Sequence, residues 1–194
     1  MKKLRNIVLA GVLATSFAYA DTFIGVKGGV GSGTVSLSDS NGDAYTFTDS
    51  DSITTKDTQI YIGLDSLYLF YQTGTIETDT NDMGDFDYNA FGIGYFKSFN
   101  SLTSGKTEIK PEFMIGIGYD KLTGNGNGSL DDDKQGILIP ISLGVSMGMK
   151  SFPIKLTADI GYDIHVVNDT DSTENDSSWN YMSLRYNLGI RYNF

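Results

Sequence analysis

The chain has 194 residues, 20% charged, 40% hydrophobic and 12% aromatic, with 23 Gly, 3 Pro and no Cys. That is one folded domain's worth of chain, and the absence of Cys excludes disulfides, thiolate metal sites and Cys nucleophiles. Lys and Arg number 14 against 24 Asp and Glu, and Lys2, Lys3 and Arg5 stand at the very start, so the remainder is acidic enough to disfavour a nucleic-acid partner.

Residues 1–20 combine that basic start with an apolar run from Ile7 to Leu13 and the small-x-small ending Ala18-Tyr19-Ala20. This is the pattern of a cleaved secretory signal, which leaves residues 21–194 as the mature domain. From there on the dominant period is two. Residues 22–30 set Ile24, Val26 and Val30 against Lys27 and Gly29, and residues 58–65 set Ile60, Ile62 and Leu64 against Gln59, Gly63 and Asp65. Residues 67–76 begin apolar on both faces, which leaves their orientation open; residues 88–97 put Phe91, Ile93 and Tyr95 opposite Ala90, Gly92 and Gly94. In residues 109–120, Ile109, Pro111, Phe113, Ile115, Ile117 and Tyr119 face away from Lys110, Glu112, Met114, Gly116, Gly118 and Asp120. The same alternation fills residues 137–148, 154–166 and 179–194, and over such lengths it fits strands and no helix. Eight strands are expected.

Their connections alternate. Segments 31–56, 77–87, 121–135 and 167–178 are long and polar, whereas Asp65-Ser66 and 150–153 are tight and 98–107 intermediate. The long segments with their edges, Asp120 included, carry 17 of the 24 carboxylates. On the last four strands the apolar parity holds no charge, while the other parity is Gly, Ser, Thr, Asn and isolated charges. A soluble barrel would turn the apolar parity inward and cover its outside with Lys and Glu. In hydrocarbon every backbone group must be paired within the protein, so an apolar outer face implies a closed barrel. Aromatics near strand ends (Phe152, Tyr192 and Phe194; Tyr119, Tyr162 and Trp179) fit interfacial girdles.

The signal segment, the eight dyad strands, the long-loop and short-turn alternation and the closing run LRYNLGIRYNF together resemble the small OmpA/OmpX-like, opacity-type outer-membrane β-barrels of Gram-negative bacteria. The resemblance covers residues 21–194. It implies an all-β, eight-stranded antiparallel up-and-down transmembrane β-barrel with long acidic extracellular loops and short periplasmic turns. It also implies outer-membrane lipids and lipopolysaccharide as surroundings, a monomer, and an assembly signal for the barrel-assembly machinery in Leu188, Ile190, Tyr192 and Phe194.

Local patterns suggesting chemistry are weak. Ser104-Gly105-Lys106-Thr107 lacks the first Gly and the helix of a P-loop, and Asp39–Asp43 and Asp169–Asp171 lack a full calcium ligand set. No metal and no cofactor is expected. His165 is the single histidine, so a hydrolytic triad acting on lipid A would have to use it, with Asp163 on the same face; the favoured reading is a hydrated rim histidine and no catalysis. Lys27, Lys110, Glu112, Lys155, Asp159, Asp163, Arg185 and Arg191 share the inward parity, and charges in a narrow barrel require partners or water. A cross-strand lumen network is therefore expected, with Arg185 on Asp159 across the last hairpin. The functional expectation is a surface or structural barrel with a plugged or nearly plugged lumen and loops available to cations, lipopolysaccharide or a host ligand; the alternative is a narrow pore for small solutes or ions.

Overall fold

The computed structural model describes residues 22–38, 44–46, 52–78, 85–103, 105–124, 134–169 and 177–194. The segment 1–20 and most of the acidic loop residues lie outside them. Every described element is a strand: β1 (Thr22–Ser38), β2 (Ala44–Thr46), β3 (Ser52–Leu64), β4 (Leu67–Thr78), β5 (Phe86–Ser98), β6 (Thr107–Gly124), β7 (Lys134–Met149), β8 (Ile154–Asp169) and β9 (Ser177–Asn193). The short β2 pairs with the top of β1 and prolongs the return into β3. The other eight strands form one antiparallel sheet in sequence order that closes by pairing β1 with β9.

The closure has a definite stagger. A row at right angles to the strands runs Gly25, Tyr61, Phe70, Gly92, Gly118, Leu138, His165, Tyr181 and returns to β1 at Val35, ten residues from its origin. Such a shear over eight strands tilts them by about 40° and leaves an interior only wide enough for side chains. The row therefore climbs toward the long-loop end by slightly more than one residue at each strand.

The apolar parity faces out. Ile24, Ile62, Leu69, Ile93, Ile117, Leu143, Leu156 and Leu188 are all exposed, which in water would be prohibitive and in lipid is required. Strand β4, ambiguous in sequence, turns Leu67, Leu69 and Tyr71 outward and Tyr68, Phe70 and Gln72 inward. Glycine makes the room: a Cβ at Gly92 would lie 2.6 Å, and one at Gly118 2.9 Å, from the Phe70 ring tip. β5 and β6 thus give up side chains so that β4 can fill the lumen.

Strands also extend past the ranges read from the sequence, because the parity inverts at the long-loop end. There the outward positions become polar (Thr54 and Lys56 on β3), and the inward ones become apolar. Val35, Ile53, Ile76, Phe86, Tyr88, Leu122, Val167 and Tyr181 form one buried cluster, drawn from seven strands and lying at one level across the barrel. Above the membrane the molecule packs as a soluble barrel does.

The turns have local causes. Asp65 takes a positive φ of 54° in the two-residue link from β3 to β4, a conformation that Asp tolerates better than most side chains. Gly105 has φ 99° in the connection to β6, and Thr107 opens that strand where a P-loop would open a helix.

Candidate functional site: a column of charge in the lumen

Below the apolar cluster, inward side chains stack in layers down the lumen, and the tilted register dictates which of them meet. The uppermost pair is His165 and Asp120, hydrogen-bonded through His165 Nδ1 and Asp120 Oδ2. Tyr88 and Tyr181 stand edge-on to the imidazole at centroid distances of 5.0 and 6.3 Å. His165 is 2% exposed. Two expectations are thereby corrected. His165 is sealed among aromatic rings rather than hydrated at a rim, and Asp120 belongs to the lumen rather than to the loop acidity. Asp163, the acid placed beside His165 by parity, points elsewhere.

Asp163 belongs to the next layer. Arg185 lies between Asp57 and Asp163, its Nη1 2.9 Å from Asp57 Oδ2 and its Nη2 2.9 Å from Asp163 Oδ1. Gln72 Nε2 donates to Asp163 Oδ2 at 2.6 Å and to the Tyr88 hydroxyl at 2.9 Å, while Gln59 Nε2 donates to Gln72 Oε1 at 2.9 Å. A guanidinium is planar and permanently charged, so it can bridge two carboxylates from opposite sides. The expected pairing of Arg185 with Asp159 is overturned: the strand opposite Arg185 presents Gly161, and Asp159 stands opposite Asn187. Arg185 reaches across Gly31 of β1 to Asp57 on β3 and, past Gly161, up β8 to Asp163.

Asp159 forms the third layer, accepting from Lys27 Nζ at 3.1 Å and from Asn187 Nδ2 at 2.7 Å. In the fourth, Arg191 donates from Nη1 and Nη2 to the two oxygens of Glu112 at 2.9 and 2.6 Å. Its guanidinium carbon lies 5.1 Å from the Phe23 and 5.2 Å from the Phe96 ring centre, so the ion pair is closed in by cation–π contact as well. At the short-turn mouth Glu108 takes Lys155 at 2.9 Å and Lys110 at 3.3 Å, and Lys155 also donates to the Met149 carbonyl at 2.6 Å. That mouth opens into a vestibule of about 360 Å³.

Of the eight charges singled out from the sequence, Lys27 meets Asp159, Arg191 meets Glu112 and Arg185 meets Asp163, while Lys110 and Lys155 meet at Glu108. Asp57, Asp120, His165 and Glu108 complete the layers. Asp57 precedes the range in which β3 is legible, and only the register could have joined it to Arg185. Leu188, Ile190, Tyr192 and Phe194 lie on the lipid face, exposed by 41 to 73%; the side chain of Trp179 and the Asp39–Asp43 and Asp169–Asp171 groups lie outside the described residues.

No protein-family model matches the chain, and no curated protein matches it in sequence. Solved structures do. Neisserial surface protein A superposes with a TM-score of 0.53 at 15% identity, over 89% of this chain and 97% of that one. OprG from Pseudomonas aeruginosa matches at 0.46 and 14% identity, over 90% of this chain and 96% of that one. The N-terminal barrel domain of OprF from the same organism matches at 0.42 and 12%, over 90% and 99%. The chain has the closed eight-stranded fold of the small OmpA/OmpX-like barrels, and with its apolar outer face it is a protein of the bacterial outer membrane.

Proposed function

We propose that the protein is a non-catalytic surface or structural barrel whose lumen is closed to solutes by its own side chains. The observation that carries this reading is the Arg185 layer: a guanidinium 1% exposed at mid-barrel, held between Asp57 and Asp163. A solute passing that level would have to break two buried ion pairs and then the apolar cluster above. Recognition then falls to the long loops, which reach the cell surface in barrels of this kind and carry carboxylates suited to divalent cations bridging to lipopolysaccharide. Leu188, Ile190, Tyr192 and Phe194 serve as the assembly signal, and the barrel works as a monomer.

Liposome swelling tests this reading. Vesicles carrying the refolded barrel are expected to swell in an isosmotic pentose solution no faster than empty vesicles, and fast swelling would contradict closure. A narrow pore is the second reading, favoured by the buried acceptors Asp57 Oδ1, Gln59 Oε1 and Asp120 Oδ1, which have no protein hydrogen-bond partner and could be met by a thread of water.

A further inference from the structure

The outer wall of the barrel is unequal in height. On β8 the outward side chains stay apolar from Ile154 to Val166, and on β9 from Tyr192 to Met182 with Phe194 just beyond its end. At about 2.5 Å of height per residue on a strand tilted by about 40°, that is a band about 30 Å tall, enough to span a bilayer core. On β3 the outward apolar residues are Ile60, Ile62 and Leu64, and on β4 Leu67, Leu69 and Tyr71. By the same conversion these cover only about 10 Å. Above them the wall is polar: Thr58, Lys56 and Thr54 on β3, Thr73, Thr75 and Glu77 on β4, and Asn89 on β5.

Stagger does not explain this inequality. Allowing for the climb of the row around the barrel, Thr73 stands level with Leu184, and Lys56 stands level with Ile164. Nor does tilting the whole barrel, because the tall wall overshoots the short one at both ends. The short wall also carries the chemistry of a hydrated surface. Lys56 Nζ and Glu77 Oε1 pair at 2.6 Å with side chains 58% and 45% exposed, and the Tyr71 hydroxyl donates to Asn89 Oδ1 at 2.7 Å. Charges facing hydrocarbon are costly, and a hydrophobic span that is too short is met by local thinning of the bilayer.

We infer that the β3–β5 wall is an interaction surface for lipid headgroups, over which the polar layer of the long-loop leaflet descends and the membrane thins on that side alone. Threonine hydroxyls and the Asn89 amide N–H supply donors for the phosphate and ester oxygens of headgroups, and the Lys56–Glu77 pair supplies charge of both signs. Beside this wall a groove of about 470 Å³ between Leu69, Phe91, Ile93, Ile117, Tyr119 and Ile137 gives the acyl chains of lowered lipids a place to lie sideways.

The chain has no Cys, so single-Cys variants report without background. Thr73→Cys, Lys56→Cys, Leu184→Cys and Ile164→Cys are refolded into dioleoylphosphatidylcholine vesicles and treated with a membrane-impermeant maleimide. Because a thiol needs water and ionisation to react, the Thr73 and Lys56 variants should react more than about tenfold faster than their level counterparts Leu184 and Ile164. Orientation in the vesicle affects both members of a pair alike. Adding Lys56→Leu, Thr58→Val, Thr75→Val and Glu77→Leu to the Thr73→Cys variant should slow its reaction to the Leu184→Cys rate. Four equally slow rates would overturn the inference, since a full-height bilayer or a second copy would then cover the wall. Four equally fast rates would overturn it too, by removing the tall wall. No arm of the experiment reads the lumen, so its outcome is separate from that of the closure proposed above.

Discussion

Arg185 is a buried cation held between two acids on different strands, Asp57 of β3 and Asp163 of β8. Removing one member of a buried, paired set leaves the others uncompensated and costs about 3 to 5 kcal/mol. Arg185→Ala should therefore lower the urea midpoint of the refolded barrel strongly. In double-mutant cycles Arg185→Ala should couple to Asp163→Asn and to Asp57→Asn, and should add independently to Asp159→Asn; coupling to Asp159 alone would mean that the register is shifted. The polar parity of these charges was legible in the sequence, as was their need for partners. Which acid meets which base was not, because the shear that carries β3 against the Arg185 side chain is a property of closure and leaves no mark on any single strand. Asp120 shows the same limit, since next to an acidic loop it looks like part of that loop until the strand is known to run on to Gly124.

At the scale of the element, β4 shows how a strand with two apolar faces chooses one. Phe70 and Tyr68 turn inward because Gly92 and Gly118, and likewise Gly94 and Gly116, leave the space for them. Gly118→Val should thus destabilise the barrel by roughly 1 to 3 kcal/mol through overpacking, and Phe70→Ala in the same molecule should recover part of the loss; a double variant with the full sum of both penalties would refute this packing. The last strand is a different case, in which alternation was plain from sequence and the structure places Leu188, Ile190, Tyr192 and Phe194 against lipid. Phe194 sits at the very end, with its backbone N–H bonded to the Thr22 carbonyl at 2.9 Å, and its ring contributes little to the interior. Deleting it should cut the amount of barrel assembled in cells while leaving refolding in detergent nearly unchanged, as measured by outer-membrane fractionation beside in-vitro refolding yield.

The whole molecule has two opposite amphipathic patterns on the same strands, apolar outward through the bilayer and apolar inward above it. The first pattern was legible, since period two over thirteen or more residues fits little else. The second was hidden, because at the crossover, as along Thr54 to Thr58, both parities are briefly polar and the strand fades into what looks like loop. Closure leaves the eight barrel strands without an unpaired edge, so the barrel should keep its fold in cold dodecyl sulfate and migrate ahead of its boiled form; identical mobility in both states would contradict a closed barrel. The central claim, that stacked ion pairs and an apolar cluster close the lumen, is tested most directly by single-channel recording of the refolded protein in a planar bilayer. The wild-type barrel should give a flat trace in molar potassium chloride, and Arg185→Ala combined with Asp163→Ala should stay flat too, because the apolar cluster and the Lys27–Asp159 and Arg191–Glu112 layers remain. Regular, long-lived conductance steps from the wild-type protein would contradict it.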